Sequence, residues 1–332
     1  MSPQGKITSL DVAKRAGVSR SAVSRVFTPG ASVSERTATK VREAADALGY
    51  RPNVLARAML TGKSKIIGLV VAYLDNHFYP TMLELLSDAL EREGYHVLVF
   101  MASHTANDIE DVVSQILDYQ VDGLVLASVA LSSDLADRCR ASGVPVVLFN
   151  RKLETQNELA IVSDNHAGGR LAAEHFVQLG RTRIGHIAGW EGASTQRDRE
   201  AGLMEGLRTA GLGLFAREVG DFRLNRAQDA TRRMFDADAR PDAVFVANDY
   251  MAFGAMDVLR GELGISIPED VAVIGFDDVP AAGWPAYGLT TIRQDAAAMV
   301  TATITALMSE IHGEAAKEQA PLPVTLIKRT SA

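Results

Sequence analysis

The chain has 332 residues, 47% of them apolar and 23% charged, which fits two or three globular units with ample core. No run of 18 apolar residues is present, the amino-terminal MSPQGKITSLDV has no apolar secretory stretch, and the lone Cys139 allows no internal disulfide. These features exclude a helical membrane span and point to the cytoplasm, with Cys139 as structural filler. The net charge of −7 is unevenly spread: residues 1–65 carry 12 Lys and Arg against 4 Asp and Glu, about +8, and the remainder carries 22 against 37, about −15. A basic head on an acidic body lets one end meet a polyanion while the body avoids it.

Residues 7–27, ITSLDVAKRAGVSRSAVSRVF, predict two short helices joined by a tight turn. Thr8 or Ser9 can cap the first helix, Val12, Ala13 and Ala16 form its apolar stripe, Gly17 ends it and Val18 plugs the turn. Ser19 caps the second helix, which runs from Arg20 to about Phe27. At about 100° per residue, Ala22, Val23 and Val26 share one arc and Arg20, Ser21, Ser24 and Arg25 the other. That is a helix-turn-helix with its donors outward, as a helix entering the DNA major groove requires; an ordinary αα-hairpin with a solvated face is the bland alternative. Ser34 caps a third helix over 35–48, stopped by Gly49, completing a headpiece of about fifty residues. The next stretch, RPNVLARAMLTGKSK, predicts a helix over 54–60 capped by Asn53. It is too short to be stable alone and would form only against a partner or DNA. The pair Met59–Leu60 in this basic linker can wedge into a minor groove.

From Lys65 the pattern becomes strand–helix alternation. Strands are expected at 66–72, 97–101, 123–127 and 144–149, with helices near 79–93, 109–119 and 135–142. A second series has strands at 160–162, 183–188, 243–246 and 271–275, with helices near 167–179, 197–210, 227–235 and 250–263. A helix near 297–312 and a strand near 322–327 cross back. β-branched runs between helices of this length predict parallel sheets covered on both faces, hence two doubly wound α/β lobes with ligands at strand carboxyl ends, in the cleft between them.

Headpiece, linker and two lobes in this order resemble the lactose/galactose-repressor (LacI/GalR) family of bacterial transcription regulators, over essentially the whole chain. The most specific segments are DVAKRAGVSRSAVSRVF, VSERTATKVREAADALGYRPNVLAR and GFDDVPAAGWPAYGLTTIRQD. The resemblance implies a helix-turn-helix headpiece (1–50), a hinge helix and linker (51–64), and two lobes of periplasmic-binding-protein type. The first lobe would span 65–163 with about 293–320, and the second 164–292 with about 321–330. It implies a homodimer on a palindromic operator, probed allosterically by a small carbohydrate, sugar acid or sugar phosphate in the cleft. Arg20 and Ser21 occupy the positions that set operator sequence, and Ser24 and Arg25 those of further base and phosphate contacts. Ser19, Thr8 and Asn53 fall at backbone-phosphate positions, and Arg57 within the DNA-binding hinge. Met59 stands where the family usually has a leucine that pries open the central base step.

For the cleft, the resemblance implies Asn76, His77 and Phe78 after the first strand, Asn150 and Arg151 after the fourth, and Asp164 at the crossover, followed by Arg199, Phe222, Asn248 and Asp277. Arg199 would anchor the effector's hydroxyls or carboxylate, and Phe222 would stack on a sugar face. Asn150 departs from the aspartate of many sugar-responsive members, and Arg151, Arg197, Arg199 and His77 together make an anionic metabolite as credible as a neutral sugar. Other readings of the same residues stand beside these: Arg199 as a surface residue paired with Glu200 or Glu205, Asp277–Asp278 as a turn cap, His77 as a solvated loop histidine.

An enzyme is the first rival. No HExxH, HxH or Cys-His cluster is present, and no GxSxG elbow; Gly62-Lys63-Ser64 lacks the earlier glycine of a phosphate loop, and Gly211-Leu212-Gly213 lacks a third. No catalytic residue, metal or cofactor is expected. The second rival is a solute receptor without DNA function, against which the basic headpiece speaks. No apolar heptad tail follows residue 327, which favours a dimer over a tetramer.

Overall fold

The computed structural model describes residues 7–28, 30–51, 63–72, 74–102, 106–127, 138–139, 141–153, 159–317 and 319–332, with only the backbone of 106–110. The expectations for the hinge helix, for Asn53, Arg57 and Met59, and for most of the helix at 135–142 lie outside these residues. The chain divides into two compact units, Met1–Lys65 and Ile66–Ala332.

The first unit holds three helices, α1 (Ser9–Ala16), α2 (Arg20–Val26) and α3 (Glu35–Leu48). Asp11 accepts hydrogen bonds from the Thr8 amide at 2.9 Å and hydroxyl at 2.7 Å, which holds its carboxyl below the usual range and fastens the first turn of α1. Gly17 ends α1 in the left-handed region at φ 65°. The Ser19 and Ser34 hydroxyls accept from Ala22 and Thr37 to start α2 and α3. Val12, Ala13, Val23, Val41, Ala44 and Ala45 form the core, with Val18, Phe27 and Tyr50 packed around it.

In the second unit, β1 (Ile66–Val71), α4 (Phe78–Arg92), β2 (His96–Met101), α5 (Ala106–Asp118), β3 (Gly123–Ala127), β4 (Val146–Phe149) and β5 (Ala160–Ile161) build a parallel sheet of order β2-β1-β3-β4-β5. Successive residues of β1 face opposite ways: Ile67, Leu69 and Val71 join the core under α4, and Val70 the core containing Val113 and Ile116 of α5. Cys139 is a fully buried member of the latter core.

Then follow α6 (Asn165–Gln178), β6 (Ile184–Ala188), α7 (Ser194–Thr209), β7 (Ala216–Val219), α8 (Leu224–Phe235), β8 (Ala243–Val246), α9 (Asp249–Asp257, continued by a π-helical turn, Val258–Glu262) and β9 (Ala272–Asp277). A 3-10 turn (Pro280–Gly283), β10 (Thr290–Gln294), α10 (Ala296–Ile311) and β11 (Val324–Ile327) complete the chain. Their sheet has the order β11-β10-β9-β8-β6-β7, so β7-β6-β8-β9-β10 repeat the winding β2-β1-β3-β4-β5 of the first sheet. Pairing is parallel except between β10 and β11, which is antiparallel. α10 packs on α4 and β4 of the first lobe before β11 returns to the second.

Two strands escape the sequence pattern. β7 is a short edge strand without a β-branched run, and β10 is TTIRQ, whose polar residues read as loop although Thr290, Thr291 and Gln294 are buried.

Candidate functional site

On the headpiece, Ser19, Arg20, Ser21, Ser24 and Arg25 are all exposed, while Val23 of the same helix is buried. The helical period alone accounts for this division, so the predicted arc is present. Arg20 is braced against α1 by an Nε–H bond to the Ser9 hydroxyl at 3.1 Å, and the Ser19 and Ser21 hydroxyls lie 2.9 Å apart. Thr8 is exposed too, but its hydroxyl donates to Asp11.

In the body, Asn150, Arg151, Asp164, Phe222, Asn248 and Asp277 lie at or just beyond carboxyl ends of strands, as the winding requires, Asn76 and His77 lie between β1 and α4, and Arg199 lies within α7. Asp277, at the end of β9, is their hub. Its carboxylate accepts from Asn76 Nδ2 at 3.1 Å and Gln294 Nε2 at 2.8 Å, and lies 3.6 Å from Arg199 Nη2. Burial pushes the Asp277 carboxyl up, opposed by Arg199, Asn76 and Gln294. Arg199 is only 2% exposed: Nε donates to Asn165 Oδ1 at 2.8 Å, Nη1 to the Ala247 carbonyl, and the guanidinium lies 3.6 Å over the Phe276 ring. It is therefore not a surface residue paired with Glu200 or Glu205. Glu200 instead takes a two-pronged contact from Arg217.

Asn248 and Asp164 each start a helix, accepting from Met251 N at 2.9 Å and Ala167 N at 2.8 Å. Phe78 is buried, stacked near Phe149 at 6.4 Å. Asn150, at φ 67°, donates to the Tyr79 hydroxyl at 3.0 Å, and its buried Oδ1 has no hydrogen-bond partner among the described residues. Arg151 lies 5.6 Å over Trp190 and 5.8 Å over Phe222. His77 is exposed in the turn before α4, and Arg197 is exposed with Nη1 on the Glu191 and Gly192 carbonyls. The four basic side chains thus do not converge on one point: two are exposed and Arg199 is paired with Asp277.

Several participants were not singled out from the sequence. Asn165 and Gln294 orient Arg199 and Asp277, and the buried Gln294 Oε1 has no partner among the described residues. Lys152 reaches the second lobe through its amide to Ser194 Oγ at 3.1 Å and its Nζ to Asp198 at 2.9 Å. Asp249, fully buried, accepts from Thr291 Oγ1 and, at 3.0 Å, from Val279 N. Gln294 sat within the quoted TTIRQD segment, so only its side-chain partner was hidden. A cavity of about 580 Å³ opens beside this network, between Phe78, Thr81 and Met82 of α4 and Asp277, Gln294 and Ala296 of the second lobe's margin. Among the described residues, no group of three His, Cys, Asp or Glu is placed to hold a metal ion, and no helix is long and apolar enough to cross a membrane.

Comparison with known proteins agrees with both units. The family profile described as "Bacterial regulatory proteins, lacI family" matches residues 8–53, and "Periplasmic binding protein-like domain" matches residues 173–332. The transcriptional regulator MalR of Streptomyces coelicolor is 32% identical over 91% of this chain and 90% of its own. The transcriptional repressor PurR of Vibrio cholerae is 30% identical over 86% of each. Among solved structures, the Lac repressor dimer bound to operator and the anti-inducer ONPF superposes with a TM-score of 0.88 at 30% identity, covering 98% of this chain and 99% of that one. The regulator CelR in complex with cellobiose gives 0.74 at 30% identity, over 98% and 100%. A helix-turn-helix headpiece joined to this pair of lobes, at these identities and over this length, is a transcription regulator and not an enzyme: the chain belongs to the lacI family of bacterial regulatory proteins.

Proposed function

We propose that the protein is a cytoplasmic, ligand-responsive regulator, acting as a repressor, that binds a palindromic operator as a homodimer and is switched by a neutral carbohydrate between its lobes. The observation that carries the DNA half is the exposed arc of Arg20, Ser21, Ser24 and Arg25 on a headpiece of about +8. Arginine at the start of a recognition helix suits a bidentate contact to guanine, worth about 1–3 kcal/mol of discrimination. The dimer-bound operator of the Lac repressor relative supports a two-fold arrangement.

Three of the four basic side chains named for the cleft are paired or exposed, which favours a neutral ligand over a sugar acid or phosphate. The Arg199 charge is already paired with Asp277 and stacked on Phe276, and Arg197 and His77 lie in solvent. Two buried acceptors here, Asn150 Oδ1 and Gln294 Oε1, have no hydrogen-bond partner among the described residues, and a polyol supplies hydroxyl donors. Ligand binding would shift the population of lobe arrangements and so the register of the two headpieces, with a coupling of about 1–3 kcal/mol.

The test is enrichment of fragmented host DNA by the purified protein, with and without a panel of neutral sugars, sugar acids and sugar phosphates. We expect a palindrome, released by a neutral sugar. Arg20→Ala should relax base choice at one position of each half-site by about tenfold or more. Recovery of no DNA under any condition would sink the operator reading, and response to acids alone the neutral-ligand reading.

A further inference from the structure

Trp190, which faces Arg151 of the other lobe, sits in a loop, 189–193, with no regular structure of its own beyond a turn. What fixes that loop is a buried polar chain that none of the site residues above belongs to. His186 of β6 is fully buried, its ring stacked on Phe245 of β8 at 5.3 Å and its Nδ1 3.0 Å from the Phe245 carbonyl. A carbonyl only accepts, so Nδ1 carries the proton and Nε2 presents a lone pair. Gln196, 1% exposed in the first turns of α7, fills the complementary role: its Nε2 lies 3.1 Å from His186 Nε2 and donates to Glu200 Oε2 at 2.8 Å, and its Oε1 accepts the Gly189 amide at 2.6 Å. Both amide hydrogens and the amide oxygen are committed. Glu200 continues to Arg217 at 2.6 Å, and Arg217 reaches Glu191 at 3.0 Å. The loop is therefore tied on both sides of Trp190, at 189 and at 191. It is also tightly shaped: a Cβ on Gly189 would fall 2.1 Å from the Phe222 ring, and one on Gly192 2.4 Å from the Trp190 ring.

We propose that Gln196, oriented by His186, is a positioning residue of the effector site, holding the 189–193 loop so that Trp190 and Phe222 present a fixed aromatic wall to Arg151 and the ligand. The proposal rests on the effector reading above. The chemistry requires an amide at 196 and a neutral imidazole at 186. Burial supplies the second: it pushes the His186 imidazole down to about 4, against the opposing pull of the Phe245 carbonyl and Glu200. A carboxylate at 196 would face the His186 lone pair and the Glu200 carboxylate, with Arg217 and Glu191 as the remaining charges nearby. It would draw a proton onto His186 at a higher pH than the native glutamine does.

The experiment uses the full chain carrying Trp284→Phe, which leaves Trp190 as the sole indole, and reads acrylamide quenching of its fluorescence at pH 6 and pH 8. The parent should show a shielded indole at both. Gln196→Met, similar in shape but unable to make the three bonds, should raise the quenching constant severalfold at both pH values, with the far-ultraviolet circular dichroism unchanged. Gln196→Glu should be quenched like Gln196→Met at pH 8 and return toward the parent at pH 6, in step with the His186 ring titration followed by NMR. A generic packing defect would give no such return. Equal quenching in parent and Gln196→Met, or a Gln196→Glu that ignores pH, overturns the proposal; if Gln196→Met does not fold, the Gln196→Glu profile decides it. Calorimetry with glucose, ribose, maltose and cellobiose separates the two readings. A parent that binds none of them counts against the carbohydrate effector while the quenching result still judges the loop. A parent that binds one, and a Gln196→Met that binds it equally, overturns the positioning role; about a tenfold loss supports it.

Discussion

Asp249 shows how a fully buried residue behind the candidate site can set its shape. Its two carboxylate oxygens accept from Thr291 on β10 and from the Val279 amide just beyond β9, so one buried side chain fixes the ends of the two strands that carry Asp277 and Gln294. Between them the backbone passes through positive φ at Asp277 (121°) and Asp278 (56°), a course that neighbouring bonds must impose. Gly275 leaves the room: a Cβ there would lie 2.3 Å from Asp249 Oδ1. Burial, then the Asp277 and Asp278 charges, push the Asp249 carboxyl well above 3.8. An acid whose folded pKa is raised contributes stability below its unfolded pKa and loses it as pH rises through the folded one. Asp249→Asn keeps an acceptor for Val279 N and lets Thr291 accept instead of donate, but it cannot titrate. Unfolding by urea from pH 4 to pH 8 should therefore show the variant gaining steadily on the wild type. His186 titrates the opposite way. With its pKa lowered from 6.5 to about 4, it supports the fold above pH 6.5 and loses that support as pH falls to 4, by about 3 kcal/mol. His186→Gln should lack that acid-side loss in the same titration.

At the scale of elements, the determining contact is the crossing of α6 and α7, which places Asn165 of one helix against Arg199 of the other. The backbones approach so closely that a Cβ on Gly169 would lie 1.9 Å from the Arg199 carbonyl oxygen, and one on Gly202 1.9 Å from that of His166. Against backbone no rotamer change gives relief. Gly202→Ala gains about 1 kcal/mol of helix propensity, but the forced separation costs more, about 1–3 kcal/mol net, and draws Arg199 off Asn165. Gly261→Ala, with open space around its Cβ, should be neutral or slightly stabilising in the same thermal scan. Little of this crossing was legible beforehand. Gly168-Gly169, Gly202 and Gly206 are visible in the sequence, but which helix they admit depends on contacts such as Gly169 to Arg199 and Gly202 to His166, 30 and 36 positions apart. The alternation of apolar runs and helical periods, by contrast, placed most elements within a few residues, because the apolar runs of β1, β3, β6, β8 and β9 lie buried in their sheets. β10 was missed for the same physical reason in reverse: its buried polar residues look like loop until Ser331, Asp249 and Asp277 are there to bond them. The headpiece arc was legible outright, since a single helix sets it. The pairing of Arg199 with Asp277 spans 78 positions and was not.

At the scale of the molecule, the contacts that bridge the two lobes among the described residues include Asn76 to Asp277, Lys152 to Ser194 and Asp198, and Arg151 over Trp190 and Phe222. These bridges differ in kind. The Lys152–Asp198 pair has its side chains 49% and 33% exposed, so it contributes about 0–1 kcal/mol and is screened by salt. The Asn76 side chain is buried, its Nδ2 donating to Asp277 and its Oδ1 accepting from Phe78 N at 3.1 Å; removing it leaves Asp277 short of a donor and costs about 1–3 kcal/mol. If lobe opening is the switch, that cost moves the balance toward the open arrangement by about fivefold to a hundredfold. The Lys152 amide is a local reporter, because its acceptor, Ser194 Oγ, belongs to the other lobe. In the intact chain without ligand, Asn76→Ala should speed hydrogen exchange at the Lys152 amide by about tenfold, although residue 76 does not touch it. Asp198→Ala should speed it by less than about fivefold, and 0.5 M salt added to the wild type should reproduce that smaller effect and leave the Asn76→Ala increment in place. Exchange at Lys152 that ignores Asn76→Ala would mean that the lobes do not open as a unit, and that the effector signal travels within one lobe.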